Sequence, residues 1–284
     1  MVEPVVVGVD GSGAALRAVR WAAAEARRRR APLRIVHAAE PPPFAVRRGA
    51  IGILAELRAE GERIVAEAAA VAEDVPELTT VVPAETAAGA LVDESATAQL
   101  LVLGMTGLSA FPGLPVGSVP GLLAAHAHCP VAVLRGEERP ARAPVVAGID
   151  GGPHSMAVVA AAFDEAAQRG APLVAAHAWS DADLEGVSCQ ARPYFGWEPV
   201  AEAERRLLAE NLVGWQEKYP EVPVDRVAVR DRPRHLLLEW SRKAQLVVVG
   251  SRGRGGFPGL LLGSTSQALL GHALSPVLVV HRLR

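Results

Sequence analysis

Short runs of consecutive apolar residues alternate along this chain with longer stretches of helical periodicity. Val5–Val9 is the first run: β-branched, too short for a buried helix and followed by Asp-Gly-Ser, it predicts a strand covered on both faces. Ser12 or Gly13 opens an Ala- and Arg-rich helix to about Arg30, and Leu33–Ala38 is a second strand. Beyond the Pro-rich connection Pro41–Pro43, apolar residues at Leu54, Leu57, Ile64, Val65 and Val71 predict a helix from about 53 to 73. A strand over 78–82, a helix over 87–98, a strand over 100–104, a glycine loop, a short helix from Ser118 and a strand at Val131–Leu134 complete the series. The same order then returns, with strands at 145–149, 173–178, 224–229, 246–250 and 277–281, and helices at 154–169, 200–218, 233–243 and 265–273. Continuous apolar strands alternating with helices imply an α/β fold, a doubly wound parallel sheet with helices on both faces.

The recurrence extends to individual residues. At an offset of 140, Pro4–His37 and Pro144–His177 share Gly8/Gly148, Asp10/Asp150, Gly11/Gly151, the Ala-Pro-Leu at 31–33 and 171–173, and His37/His177. At an offset of 146, residues 100–119 match 246–265 and 129–134 match 275–280, so the second copy carries six extra residues in its middle. The charged, Pro-containing stretch Arg135–Ala143 separates the copies. The expected organisation is a first domain over 1–136, a linker over 137–143 and a second domain over 144–284.

Composition narrows the classes. With 50% apolar residues among 284, the chain can bury a sizeable core and is not disordered. The 29 basic and 31 acidic side chains, net −2, remove the bulk electrostatic case for nucleic acid. Cys129 and Cys189 cannot build a disulfide framework or a four-ligand zinc site, and they point to a reducing, intracellular setting. The start MVEPVVVGVDGS has no basic region or cleavable apolar stretch, so export is not expected. The uncharged stretch 96–134 is interrupted by five glycines and four prolines, which argues for a buried strand–loop–helix–strand and against a membrane span.

Chemistry concentrates in two glycine loops. Each follows the fourth strand of its copy and ends at a helix: Gly104-x2-Gly107-x9-Gly117-Ser118 and Gly250-x2-Gly253-x9-Gly263-Ser264. A Gly-Ser pair at a helix start presents free backbone N–H groups at the positive end of the helix dipole, an arrangement that suits a phosphate chain. Neither loop has the Gly-Lys-Ser/Thr of a Walker A motif, and neither follows the first strand as a dinucleotide fingerprint does. In a doubly wound sheet the first and fourth strands flank the crevice where ligands settle. Asp10 and Asp150 end the first strands and face that crevice. Such an acid can accept hydrogen bonds from a ribose hydroxyl or an adenine amino group, or it can serve as an Asx-turn or N-cap residue for the following helix.

The Val-Asp-Gly-Ser start, the Ala-Pro-Leu and His of the second strand, and the G-x2-G-x9-G-[S/T] loop followed by [C/S]-P-V-x-V resemble the universal stress protein family in its tandem form. The resemblance implies two Rossmann-like domains of the adenine nucleotide alpha hydrolase type, each with five parallel strands in the order 3-2-1-4-5. It implies ATP as ligand, with Mg²⁺, and a cytoplasmic stress-response or dormancy regulator that forms a homodimer and acts on a regulatory protein partner. Carried over by position, the ATP site comprises Gly8, Asp10, Ser12, Val36, Gly104, Gly107, Gly117, Ser118 and Val119 in the first copy. In the second copy it comprises Gly148, Asp150, Ala176, Gly250, Arg252, Gly253, Gly263, Ser264, Thr265 and Ser266. Val36 and Ala176 are the positions whose backbone contacts adenine in the family.

The copies depart from one another. Copy two has Ser266 where copy one has Pro120, and Ser251-Arg252 where copy one has Met105-Thr106; Ser12 is replaced by Gly152. Both sites are expected to bind, with unequal affinity. No dedicated base is evident for phosphoryl transfer, so no catalytic residue and no metal-ligand set is assigned, and activity beyond a weak ATPase is not expected. The alternatives are a slow ATPase or an ATP-using enzyme of the related adenylating folds, and a scaffold with vestigial sites. His37 and His177 read as satisfied strand-end histidines, Arg27–Arg30 as helix-end cations, and the aromatic segment 179–199 as a lid, a partner surface or a cluster under a long loop.

Overall fold

The computed structural model describes residues 2–42, 51–72, 74–105, 118–137, 139–152, 154–180, 196–254 and 261–281. The chain divides into two units, Met1–Arg135 and Gly136–Arg284.

In the first unit β1 (Val5–Gly8), β2 (Leu33–Val36), β3 (Leu78–Val81), β4 (Leu100–Gly104) and β5 (Val131–Leu134) form a parallel sheet in the order β3-β2-β1-β4-β5. Val5, Val6 and Val7 are fully buried, as a strand covered on both faces requires. Helix α1 (Gly13–Arg29) lays Ala14, Ala15, Ala18, Val19, Ala22, Ala23 and Ala26 against the sheet. It starts at N-cap Ser12, whose hydroxyl accepts from Ala15 N, and stops at Arg30, which takes a left-handed conformation (φ 51). Helices α2 (Ile51–Ala70), α3 (Ala87–Ser95) and α4 (Ser118–His126) complete the unit.

The second unit repeats the plan with β6 (Val145–Gly148), α5 (Ser155–Arg169), β7 (Leu173–Trp179), α6 (Glu198–Asn211), α7 (Trp215–Lys218), β8 (Val224–Arg230), α8 (Pro233–Ser241), β9 (Leu246–Gly250), α9 (Ser264–His272) and β10 (Val277–Val280). Its strand order is β8-β7-β6-β9-β10, again parallel. The five-stranded order implied by the resemblance is therefore present in each unit. The offset between copies changes from 140 at β2/β7 to 146 at β3/β8, so the six extra residues fall in that crossover.

One element differs from expectation. The helix anticipated over 200–218 is two helices, because Gly214 adopts φ 78 and breaks the ladder. The break turns Trp215 onto the fully buried Phe163, with ring centroids 5.9 Å apart, and Tyr219 stacks on the same ring at 5.6 Å. Among the described residues no helix is long and apolar enough to cross a membrane; the stretch that invited that question contains β4, α4 and β5.

Candidate functional site

The carboxyl ends of β6 and β9 are neighbours, since the two strands pair directly. After β6 the chain passes Asp150 and turns at Gly151, which has φ 71. Asp150 Oδ1 accepts from Gly152 N at 2.8 Å and from the Ser155 hydroxyl at 2.9 Å, and Oδ2 accepts from Arg254 N at 2.6 Å. The first bond forms an Asx turn, and the second ties that turn to the first residue of α5. The third crosses to the loop after β9, so the acid does face the glycine loop as its position predicts.

That loop is closed at its base. Ser251 N donates to Val280 O at 2.8 Å, and Gly263 N donates to Ser251 O at 2.8 Å. Helix α9 follows, with Gly263 as N-cap (φ −66, ψ 146) and no side-chain cap. The first-turn N–H groups of Ser264, Thr265 and Ser266 have no intrahelical acceptor, and the positive end of the helix dipole lies behind them. Ser264 is exposed and Thr265 half-buried, whereas Ser266 is buried and donates its hydroxyl proton to Gly250 O at 2.6 Å. Arg252 and Arg254 are exposed, and Arg252 Cα lies 3.4 Å from where a Gly263 Cβ would stand. Two cations and an uncapped helix start thus share one place.

The three motif glycines, Gly250, Gly253 and Gly263, differ in what surrounds them. A Cβ on Gly250 would lie 2.9 Å from Arg252 O, and one on Gly253 would lie 2.8 Å from Asp150 Oδ2. A Cβ on Gly263 would meet nothing nearer than 3.4 Å. Gly8 and Gly148 are also packing positions: added methyls would meet Leu91 at 2.8 Å and Leu237 at 2.7 Å, side chains of α3 and α8.

The first unit shares part of this arrangement. Asp10 Oδ1 accepts from Ser12 N at 3.0 Å, and the Ser12 hydroxyl accepts from Ala15 N at 3.1 Å, so Ser12 caps α1. Gly104 lies under the start of α1, where a Cβ would come within 2.9 Å of the Ala14 carbonyl. Val119 is half-buried in the first turn of α4. Gly107, Gly117 and the Ser118 side chain lie outside the described residues.

Val36 and Ala176 are 1% and 2% exposed, and their carbonyls accept from Val9 N and Ile149 N at 2.9 Å. A ligand contact through those oxygens would share an atom already engaged by the sheet. His37 directly follows β2, whereas His177, expected at a strand end, lies inside β7, which continues to Trp179; each has an assignable proton. Nδ1 lies 2.9 Å from Val9 O and 2.7 Å from Ile149 O respectively, and a carbonyl can only accept, so Nδ1 donates. His177 Nε2 also lies 2.8 Å from Glu204 Oε2 on α6.

Several polar groups escaped the sequence reading. Ser155 is one; its position corresponds to Ala15, so the hydroxyl lost at Gly152 reappears three residues later. A buried network is another. Glu25 is fully buried on α1 and pairs with Arg28 and Arg29, Arg29 reaches Gln99, and Gln99 donates to Glu3 O. In the second unit Glu165 pairs with Arg169 at 3.0 Å, Arg169 reaches Gln245, and Gln245 donates to Ala143 O. Arg28 and Arg29 therefore do more than complement a helix end. Ser95 and Ser241 likewise accept from His128 N and Leu274 N. Apart from Glu25–Arg28, whose counterpart at 168 is a Gln bonded to Asp164, these pairs recur at the offsets of the duplication.

Of the aromatic segment, Trp179 and Trp197 have centroids 6.2 Å apart, and the Arg230 guanidinium lies 3.9 Å above Trp197; residues 181–195 lie outside the described residues. Burial pushes the Cys129 thiol up to about 12. The Asp231 carboxylate, hydrogen-bonded to His235 at 2.6 Å, raises the imidazole above its ordinary value. Among the described residues no group of three His, Cys, Asp or Glu side chains could hold a metal ion.

Comparison with known proteins places this arrangement in context. The model of the universal stress protein family matches residues 1–135 and 142–281. The chain is 40% identical to universal stress protein Rv2623 of Mycobacterium tuberculosis over 295 residues, covering 97% of this chain and 95% of that one. It is 41% identical to universal stress protein Rv2005c of the same organism over 299 residues, covering 98% and 97%. A universal stress protein from Archaeoglobus fulgidus superposes with a TM-score of 0.73 at 16% identity, covering 99% of this chain and 98% of the other, a likeness of fold. With one family match on each unit and full-length relatives at this identity, the chain belongs to the universal stress protein family as a two-domain member.

Proposed function

We propose that the protein binds ATP and serves as a stress-response regulator whose nucleotide state alters its association or its choice of protein partner. The observation that carries this reading is the start of α9: an N-terminus without a side-chain cap, a glycine at the N-cap, and exposed Arg252 and Arg254 beside it. The residues fit a triphosphate. N–H groups of Ser264–Ser266 and the two guanidinium groups supply donors, and Gly263 leaves the backbone open to close approach. Mg²⁺ would be held by the nucleotide's own phosphate oxygens with the Ser264 hydroxyl in support, and it would neutralise their charge. Asp150 is better suited to holding the protein than to a metal, since its carboxylate already accepts three hydrogen bonds. The second site is the stronger one, because residues 106 and 108, the counterparts of its two arginines, are Thr and Leu. Binding rather than turnover is the output, and a homodimer in the cytoplasm belongs to the same reading.

Calorimetric titration of the full chain with ATP–Mg²⁺ tests this. Binding at two sites of unequal affinity is expected, with the tighter one weakened in Gly263→Ala. No heat of binding and no thermal shift at millimolar nucleotide would refute it.

A further inference from the structure

The exposed face of α1 is basic throughout. Arg17, Arg20, Arg27 and Arg28 are exposed along it and Arg30 at its C-cap, while the helix's one acidic residue, Glu25, is fully buried. At about 3.6 residues per turn and about 1.5 Å per residue, the four helical arginines fall within about 100° of arc along about 16 Å. They make two rows, Arg17 with Arg28 and Arg20 with Arg27, on either side of the small Ala24. Arg28 already pairs with Glu25, whereas among the described residues no carboxylate pairs with Arg17, Arg20 or Arg30.

Neither the fold nor the helix dipole asks for all of these charges. Helix α5 repeats the buried face of α1, with Glu165 for Glu25 and Ala166 for Ala26. At the positions of Arg17, Arg20, Arg27, Arg28 and Arg30 it has Ala157, Ala160, Ala167, Gln168 and Gly170. The dipole favours cations in the last turn, which accounts for Arg27, Arg28 and Arg30; Arg17 and Arg20 stand more than a turn before it. Like charges at helical spacing repel one another, a cost that an acidic partner would reverse.

We propose that the arginine face of α1 is a docking surface for a short acidic segment of a protein partner, carrying about four carboxylates over about one and a half dozen ångströms. Each guanidinium fork can take a carboxylate through two parallel N–H···O bonds, and Ala24 leaves the floor between the rows open. The occupant is narrow because α2 contacts α1 and exposes Glu56, Glu60, Glu62 and Glu67 against only Arg58 and Arg63. A nucleic-acid duplex or an anionic membrane would meet those carboxylates as well; a narrow segment does not. The surface involves no nucleotide, so it goes beyond the ATP reading and its test stands without it.

The probe is a fluorescent Glu-rich peptide of about 15 residues, titrated with the full chain at about 50 mM salt and read by anisotropy, with a Gln-for-Glu peptide as neutral control. Arg17→Ala/Arg20→Ala/Arg27→Ala installs the residues that α5 has at the matching positions, so the helix is kept. Arg205→Ala/Arg206→Ala/Arg242→Ala removes the same charge from other exposed sites. The α1 variant should weaken peptide binding about 10-fold or more, and the control variant by less than about twofold. The α1 variant should also melt no lower than wild type, since it relieves repulsion. Equal weakening in the two variants, or a wild-type chain that does not bind the peptide, overturns the docking surface. An α1 variant that melts well below wild type shows that the arginines serve the fold and overturns it too. Duplex DNA or phosphatidylglycerol vesicles binding more tightly than the peptide, through the same arginines, overturns the choice of occupant.

Discussion

Two alanine substitutions thirteen residues apart in one motif, at Gly250 and Gly263, should have opposite consequences. Gly250→Ala places a methyl 2.9 Å from Arg252 O and 3.1 Å from His154 Cβ. The first is backbone of the loop and the second stands at the N-cap of α5, so neither is the free end of a flexible side chain; overpacking of this kind costs about 1–3 kcal/mol. For a unit of this size each kcal/mol moves the midpoint by about 2–4 °C, which gives a fall of about 2–12 °C. Gly263→Ala adds a methyl with nothing closer than 3.4 Å, at φ −66 and ψ 146, angles that alanine adopts freely. Its effect on stability should lie within about 1 kcal/mol and can be stabilising, because alanine has fewer unfolded conformations to lose. A phosphate brought against that backbone would meet the new methyl. The same overpacking cost, about 1–3 kcal/mol, then appears as a roughly 5- to 150-fold weaker Kd. Differential scanning calorimetry without nucleotide, followed by calorimetric titration with ATP–Mg²⁺, reads both quantities. If Gly263→Ala unfolds as early as Gly250→Ala, or binds ATP as tightly as wild type, the separation of packing glycine from ligand glycine is wrong.

Three further outcomes follow from buried or paired groups. Arg169→Ala leaves the Glu165 carboxylate buried without the guanidinium that now pairs with it and should cost about 3–5 kcal/mol, while Glu165→Leu with Arg169→Met should recover most of that. Arg29→Ala should cost less, because Arg28 still pairs with Glu25 whereas Gln168 turns to Asp164; chemical denaturation of each variant measures the differences. His235, hydrogen-bonded to Asp231, should titrate above a free histidine in an NMR pH series. The favourable effect of that pair on the folded state is complete below the free-histidine value and fades as pH rises through the raised one; Asp231→Asn should bring the midpoint back to about 6.5. Cys129, with its thiol pushed up to about 12, should resist iodoacetamide at pH 8 in the native protein and react after denaturation, as peptide mass spectrometry would show.

Much of the fold was legible because the chain is written twice and its strands are fully buried. Val5–Val7 and Leu246–Val249 have no polar alternation to confuse with a solvent-facing strand, and each ends in a glycine that stops it. Gly214 was not legible in this way: the apolar period continues from Leu208 and Leu212 to Trp215, and only the backbone angle shows that the helix ends. The site was legible in outline through spacing, yet spacing cannot separate a glycine kept for a ligand from one kept for a neighbour. Gly8, Gly104, Gly148 and Gly250 lie under side chains or backbone of adjacent elements, a contact visible only once helices are placed on strands. Asp150 reads from sequence as a ligand or turn residue; the structure shows the turn and adds a bond to the loop after β9 that spacing does not reveal. The buried Glu25–Arg29–Gln99 and Glu165–Arg169–Gln245 networks have a usable signal, identity at both offsets, which in the first copy is hidden inside a run of arginines that reads as helix-end cations.

The central claim is that the start of α9 is a nucleotide site, and its most direct test uses the protein as purified. Heat-released small molecules from the full chain, isolated under native conditions, should contain an adenine nucleotide by mass spectrometry. Gly263→Ala, folded and equally stable, should carry less. A wild-type chain that releases no nucleotide, and whose melting is unmoved by millimolar ATP–Mg²⁺, would contradict the account.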